Sequence, residues 1–265
     1  MFYKALLSLI VLAWTTVNAA PHAARSISSE CINVRLTNWW LVANCLTGQD
    51  SSTRIESSVY LPNKITNTEG TLEWKINGLF AATCNDCTIL DSSKLNCQCR
   101  PTAGQRKNTT LDLNEHIRNY NGHLLNDLSG PPTIPKTSPI NMPSDLSWAL
   151  YLGGFSCYAP SNPEICGSSS PQDLTCPSNA AVSSSTGSPS YCFQYRLPVS
   201  TPVWYKWNSM KAEAPGMAYE FLLYDNLDCA GKPFRAMEPS EFGMCENLGR
   251  SALAVQVRPL WNADS

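Results

Sequence analysis

The sequence predicts an all-β protein in two disulfide-braced parts, the second a β-sandwich-like module, and three observations carry that expectation. Twelve cysteines divide six and six around a proline-rich stretch. A block in the first part recurs at a fixed offset of 52 residues. The chain is also poor in charge, with 15% Asp, Glu, Lys and Arg, yet holds 19 prolines and 14 glycines, a mixture suited to turn-rich β-structure rather than to helical bundles.

Residues 1–19 carry a lone Lys4, an apolar run from Ala5 to Trp14, and small residues at Val17 and Ala19. This is the layout of a secretory signal peptide cleaved after Ala19. The apolar run is about half of the roughly 20 residues that a spanning helix needs, and no comparable run follows, so no membrane span is expected. A secreted, extracellular protein is therefore expected, and an even number of cysteines in that compartment favours disulfides over metal sites or reactive thiols. No metal and no cofactor are expected. Loss of Lys4 takes the formal net charge from -2 to -3, which offers no basic surface to nucleic acid. Asn108, in the sequon Asn108-Thr109-Thr110, is a candidate acceptor for an N-glycan.

Residues 25–127 are read as the first domain. Two of its segments are bracketed by cysteines, from Cys31 to Cys45 and from Cys84 to Cys99, and both read as disulfide-closed hairpins. In the first, Ile32, Val34 and Leu36 alternate with polar residues. A break at Thr37-Asn38 then precedes the apolar run Trp39 to Ala43, whose two adjacent tryptophans must face opposite sides of a strand. The second turns at Asp91-Ser92-Ser93. Antiparallel pairing keeps the sum of partner numbers nearly constant, which favours the nested bridges Cys84 to Cys99 and Cys87 to Cys97 over the crossed alternative. After each hairpin comes the repeated block: Leu61, Ile65, Asn67, Gly70 and Leu72 return as Leu113, Ile117, Asn119, Gly122 and Leu124. Leu and Ile four apart fit one helical turn, and Glu69-Gly70 and Asn121-Gly122 are hairpin turns, Asn-Gly being the stronger signal.

The blocks SSVYLPNKITNTEGTLEW and TTLDLNEHIRNYNGHL, each following a cysteine-bracketed hairpin, resemble the cyanovirin-N homologue family. The likeness spans about Cys31 to Leu124. It implies a pseudo-twofold, doubled-hairpin lectin fold with two shallow pockets for terminal mannose units of high-mannose glycans. By position, one pocket would use Thr66, Asn67, Glu69, Thr83 and Arg100, with Ala82 and Pro101 replacing polar residues of the family pattern. The other would use Glu30, Asn119 and Asn121, with Leu46 and Gly48 at polar positions of the pattern. The first keeps an amide, a carboxylate and a cation and is the stronger candidate. For Asn67, Glu69, Asn119 and Asn121, turn formation fits the residue types as well as ligand contact does.

Residues 128–143 hold five prolines after Gly130 and read as a linker. Residues 144–265 form a second, cysteine-rich β-domain of unknown function, with strands expected over Trp148 to Leu152, Tyr191 to Leu197, Val203 to Trp207, Tyr219 to Tyr224 and Ala252 to Val257. The Ser-rich stretch from Ser183 to Ser190 reads as a loop stapled between Cys176 and Cys192. Six cysteines permit about 15 connectivities, and spacing does not choose among them. Trp204, Tyr205 and Trp207 are either a second sugar-binding surface or a packed strand.

His116 and His123 have no visible nucleophile partner and are read as solvent-facing or satisfied. No carboxylate pair of controlled spacing emerges. The expected function is that of a secreted, non-catalytic lectin for mannose-type glycans. The alternative is a disulfide-stabilised scaffold or effector whose sugar pockets are lost and which binds a protein or cell-wall partner.

Overall fold

The structure, a computed structural model, describes residues 24–158, 176, 182–194 and 203–265, and of residues 154–158, 190–191 and 203–206 the backbone alone. The leader expected over residues 1–19 lies outside the described residues.

A single helical turn, α1 (Ile27–Glu30), leads into the first hairpin, β1 (Cys31–Thr37) and β2 (Trp40–Leu46). β3 (Arg54–Tyr60) pairs with β2, and the short hairpin β4 (Ile65–Thr68) and β5 (Thr71–Trp74) follows. The second hairpin is β6 (Cys84–Leu90) and β7 (Lys94–Cys99), extended by β8 (Lys107–Asp112). A second short hairpin, β9 (Ile117–Tyr120) and β10 (His123–Asn126), closes the repeat.

The duplication reaches into the hairpins themselves. Each has a register shift early in its first strand, with Asn33 at φ 55° and Asp86 at φ 49°. In the second hairpin Asn85 opposes Gln98 and Thr88 opposes Asn96, so Asp86 and Cys87 together face Cys97. That two-against-one bulge puts the Cys87–Cys97 bridge inside the Cys84–Cys99 bridge, and Cys31–Cys45 closes the first hairpin. Chain reversal in the first hairpin falls one residue later than the sequence suggests, at Asn38 (φ 47°) and Trp39 (φ 73°). A two-residue turn with both residues left-handed matches the twist of its strands, and here that demand outweighs the apolar character of Trp39. Trp39 packs edge-on to Phe80 at 5.5 Å, while Trp40 is fully buried.

Leu61, Ile65, Leu113 and Ile117 are all fully buried. The turn expected between each pair is present: Lys64 N donates to Leu61 O (2.9 Å) in the first copy, and Leu113–Glu115 is a 3-10 turn in the second.

The second half contains β11 (Trp148–Tyr158), β12 (Val182–Ser184), β13 (Ser190–Phe193), β14 (Val203–Glu213), β15 (Tyr219–Tyr224), β16 (Arg235–Met237), β17 (Glu246–Ala252), β18 (Ala254–Pro259) and β19 (Ala263–Asp264). Two four-stranded sheets, β12-β11-β14-β17 and β13-β18-β15-β16, pack face to face. Leu150 and Met210 of one meet Phe221, Leu223, Val255 and Val257 of the other. Cys176 bonds to Cys245 and Cys192 to Cys229, so these two cysteines do not staple the serine-rich stretch between them, and Ser183 and Ser184 are part of β12. Trp207 is a core residue stacked on Phe193, and the side chains of Trp204 and Tyr205 lie outside the described residues.

β2 is buried on both faces. Leu41, Ala43 and Cys45 face the core of the repeats, whereas Trp40 and Val42 belong with Tyr60 to the core of the sandwich. The C-terminal tail completes this junction. β19 adds to β3 as a parallel strand. Trp261, 5% exposed, lies edge-on to Trp40 (5.3 Å) and Tyr219 (5.2 Å) and donates its indole N–H to Ser58 Oγ (2.9 Å). Asp264 accepts from the backbone and side-chain amides of Asn126 and lies 3.6 Å from the buried Lys64 ammonium.

Candidate functional site

Each repeat ends in a two-residue turn, and an asparagine of the strand before it ties that turn to the opposite hairpin. Asn67 Oδ1 accepts from Gly70 N (2.8 Å) while its Nδ2 donates to Arg100 O (2.7 Å) and to Thr83 Oγ1 (2.8 Å). Asn119 Oδ1 accepts from Gly122 N (2.8 Å) while its Nδ2 donates to Leu46 O (2.9 Å). Arg100 follows Cys99 and Leu46 follows Cys45, so the two clamps are equivalent. Asparagine suits both tasks because its amide both accepts and donates. The turns they hold are left-handed at Glu69 (φ 51°), Gly70 (φ 88°), Asn121 (φ 55°) and Gly122 (φ 92°).

The first rim gathers Asn67, Thr83 and Arg100 directly. Glu69 joins them through a residue the sequence reading did not single out: its carboxylate accepts the backbone N–H of Thr102 (3.1 Å) and the Thr102 hydroxyl. Those two bonds hold the Glu69 carboxyl below the ordinary carboxylate range. Thr66 lies one residue before Asn67 on β4 and bridges the backbone of Leu79. Thr83 O accepts from Arg100 N (3.0 Å) and from the Arg106 guanidinium (3.0 Å), and Lys107 Nζ donates to Glu69 O (3.1 Å). Arg100 is exposed, and among the described residues no hydrogen bond or ion pair engages its guanidinium. The result is a shallow face on which Arg100 is exposed beside a braced Glu69 and beside Thr83, whose hydroxyl accepts from Asn67 and donates to Phe80 O (3.3 Å). Asn108 is exposed opposite Gln98 in the same sheet.

The second rim is concave. Asn121 borders a cavity of about 330 Å³ lined by Thr47, Gly48, Gln49, His123, Ile134, Pro135 and Thr137. Asn119 is 3% exposed and forms the frame behind it. Glu30 is absent from the lining: its carboxylate takes the Arg25 guanidinium (3.2 Å), and Arg25 in turn exchanges backbone hydrogen bonds with Asn119. Gly48 was placed by the family pattern, whereas Ile134 to Thr137 carry no weight in the sequence beyond a proline-rich composition.

His116 is satisfied, with Nδ1 2.7 Å from Asp127 Oδ1. His123 departs from expectation. It is 2% exposed, its Nε2 is 3.4 Å from Thr137 Oγ1, and its Nδ1 is buried without a hydrogen-bond partner among the described residues. Burial of the ring pushes the imidazole pKa down. Among the described residues no cluster of three or more His, Cys, Asp or Glu is placed to hold a metal ion, and no helix is long and apolar enough to cross a membrane.

Residues 27–125 match the family model described as the CVNH domain. Among solved structures, the chain is similar to GzCVNH of Gibberella zeae, at 24% identity over 38% of this chain and 95% of that one, with a TM-score of 0.34. It is also similar to TbCVNH of T. borchii, at 27% identity over 38% of this chain and 98% of that one, with a TM-score of 0.33. A third similar structure is microvirin in a mannobiose complex, at 24% identity, 38% and 98% coverage, and a TM-score of 0.34.

Proposed function

We propose, from the CVNH domain that residues 27–125 form, that this chain is a secreted, non-catalytic carbohydrate-binding protein that takes terminal mannose-type units of glycans. The observation that carries the reading is the pair of equivalent rims, each a rigid turn clamped by an asparagine against the hairpin of the other repeat. Sugar recognition needs short, fixed donors and acceptors that bracket neighbouring hydroxyls, because ordering floppy side chains on binding costs about 0.5–1.5 kcal/mol each. On the first rim Thr83, held by Asn67 and Phe80, is such a group, and the unengaged Arg100 guanidinium adds donors at the cost of ordering it; Asn121 and Gln49 supply amides on the second. The disulfides that close both hairpins suit an oxidising, extracellular setting.

Titration of the full chain with mannose-terminated oligosaccharides, and with galactose-terminated ones as contrast, tests this. Saturable mannose-type binding that weakens in Arg100→Ala or Asn121→Ala, with each variant still folded at the temperature of the titration, supports it. Absence of saturable binding at millimolar sugar overturns it.

One observation favours a second reading, a scaffold for a protein or cell-wall partner: the side chains of Asn67, Glu69 and Asn119 are all spent on internal hydrogen bonds. Capture of such a partner that free mannoside does not displace would establish that reading instead.

A further inference from the structure

We propose that Ile134 to Thr137, the outer wall of the cavity beside Asn121, set which sugar unit that pocket accepts, and that the C-terminal tail holds this wall in place. The inference rests on the carbohydrate-binding reading and adds the part of the chain that determines selectivity.

Three separate segments build the cavity. Thr47, Gly48 and Gln49 come from the loop after the first hairpin, and Asn121 and His123 from the last turn of the repeats. Ile134, Pro135 and Thr137 lie beyond the CVNH match, which ends at residue 125. A volume of about 330 Å³ falls at the small end of the general range for small-molecule sites, roughly 300–1,000 Å³. Such a space takes one ring and leaves the remainder of a glycan outside.

The chemistry of the lining is divided in the way a sugar ring is divided. The Gln49 and Asn121 amides and the Thr137 hydroxyl both donate and accept, so each can bracket a ring hydroxyl, while the Thr47 hydroxyl is held within its loop by Thr53 O (3.3 Å) and Gln49 N (3.4 Å). Ile134 and Pro135 offer an apolar patch for the C–H face of a ring. A ring whose hydroxyl orientation directs an O–H at Ile134 or Pro135 would lose a hydrogen bond on entry, whereas one that presents C–H there would not. Discrimination between epimers therefore falls on the wall contributed from outside the repeats.

For the wall to discriminate, it must be fixed, and its anchors are in the tail. Ser138 N donates to Asn262 Oδ1 (2.7 Å), and Ser138 Oγ donates to Leu260 O (2.6 Å). Asn262 also donates through Nδ2 to Glu56 O (3.2 Å) and to Ser138 O (3.4 Å), and its own carbonyl accepts from Ser58 N (2.9 Å). Asn262 thus joins the wall segment to β3, and the neighbouring Trp261 is locked between Trp40 and Tyr219. Pro135 restricts the backbone further. Thr137, 3.4 Å from His123 Nε2, ties the wall to β10.

The test uses the full chain and compares its affinities for mannose-, N-acetylglucosamine- and galactose-terminated oligosaccharides across four variants. Ile134→Ala, at a side chain 38% exposed, should change the ratio of affinities by about tenfold, the scale of small pocket contacts, with melting temperature preserved, and adding Thr137→Ala, which removes the partner of His123, should change the ratio further at a lower melting temperature. Asn262→Ala, which touches no ligand, should move the ratio in the same sense by releasing the wall. Asn121→Ala should lower affinity for every ligand the cavity takes. An unchanged ratio in both wall variants, with Asn121→Ala still weakening binding, overturns the inference and leaves the carbohydrate reading standing. An unchanged ratio in Asn262→Ala alone overturns the tail's part. No binding by the unaltered chain overturns both readings.

Discussion

The two rims of the repeated domain start from the same clamp and end as different surfaces. Asn67 and Asn119 make the same pair of turn-to-hairpin hydrogen bonds, yet the first turn stays on an open face while the second is roofed by residues 134–137 and becomes a cavity. The difference is imposed by the rest of the chain. Near the first rim the neighbouring segment is Arg100 to Thr102, which turns inward to engage Glu69. Near the second, the tail from Leu260 to Asp264 runs along β3 and pins the proline-rich stretch across the opening. Duplication supplies equal frames, and the packing of a second module makes them unequal.

The largest expected effect comes from removing what couples the halves. Trp261→Ala should cost about 3–5 kcal/mol, as for other large aromatic truncations in cores. It should also separate thermal unfolding into two steps, because Trp261 sits between Trp40 and Tyr219 where the two cores meet and carries the tail segment that joins β3. Calorimetry checks both, and a single, unshifted transition would break the account of a shared core.

Next in size is the clamp itself. Asn119→Ala strands a buried N–H on Gly122 and a part-buried carbonyl on Leu46 and should cost about 2 kcal/mol, whereas Asn67→Ala opens onto water and should cost about 1 kcal/mol. Denaturant titration of the two variants reads the contrast, and equal losses would show that the second rim is not the more enclosed one.

Acid weakens both rims, but in different pH windows. His123 is buried with its pKa lowered from 6.5, so the unfolded chain binds the extra proton first and stability falls as pH drops below about 6.5 towards the lower folded value. Glu69 has its pKa lowered from 4.5 by the Thr102 bonds, so its contribution is present above that value and fades only as pH falls below it. Melting curves of the unaltered chain, His123→Asn and Glu69→Gln between pH 8 and 3 should show the first variant flattening the upper window and the second the lower. Identical pH profiles would refute the assignment.

Much of the first domain was legible because its constraints are local. A cysteine bulge, a two-residue left-handed turn and a Leu–Ile pair four apart each carry their own geometry, and Cys87, Gly122 and Ile117 sit where that geometry requires. The exceptions have non-local causes. Trp40 and Val42 break the alternation of an ordinary half-buried strand because β2 is covered on both sides, and nothing within the first hairpin announces the second cover. The cavity was invisible for the same reason: Pro135 and Thr137 look like linker residues until Asn262, more than a hundred residues away, fixes them over Asn121. For the first rim the residue types were found, but Thr102 was missed because a lone threonine after Pro101 has no pattern of its own.

The most direct test of the central claim is calorimetric titration of the full chain with a mannose-terminated oligosaccharide, repeated on Arg100→Ala and Asn121→Ala. Two binding sites per chain, reduced to one in each variant and to none in the double variant, is the predicted result. Absence of heat at millimolar sugar, or a stoichiometry that neither substitution changes, would contradict it.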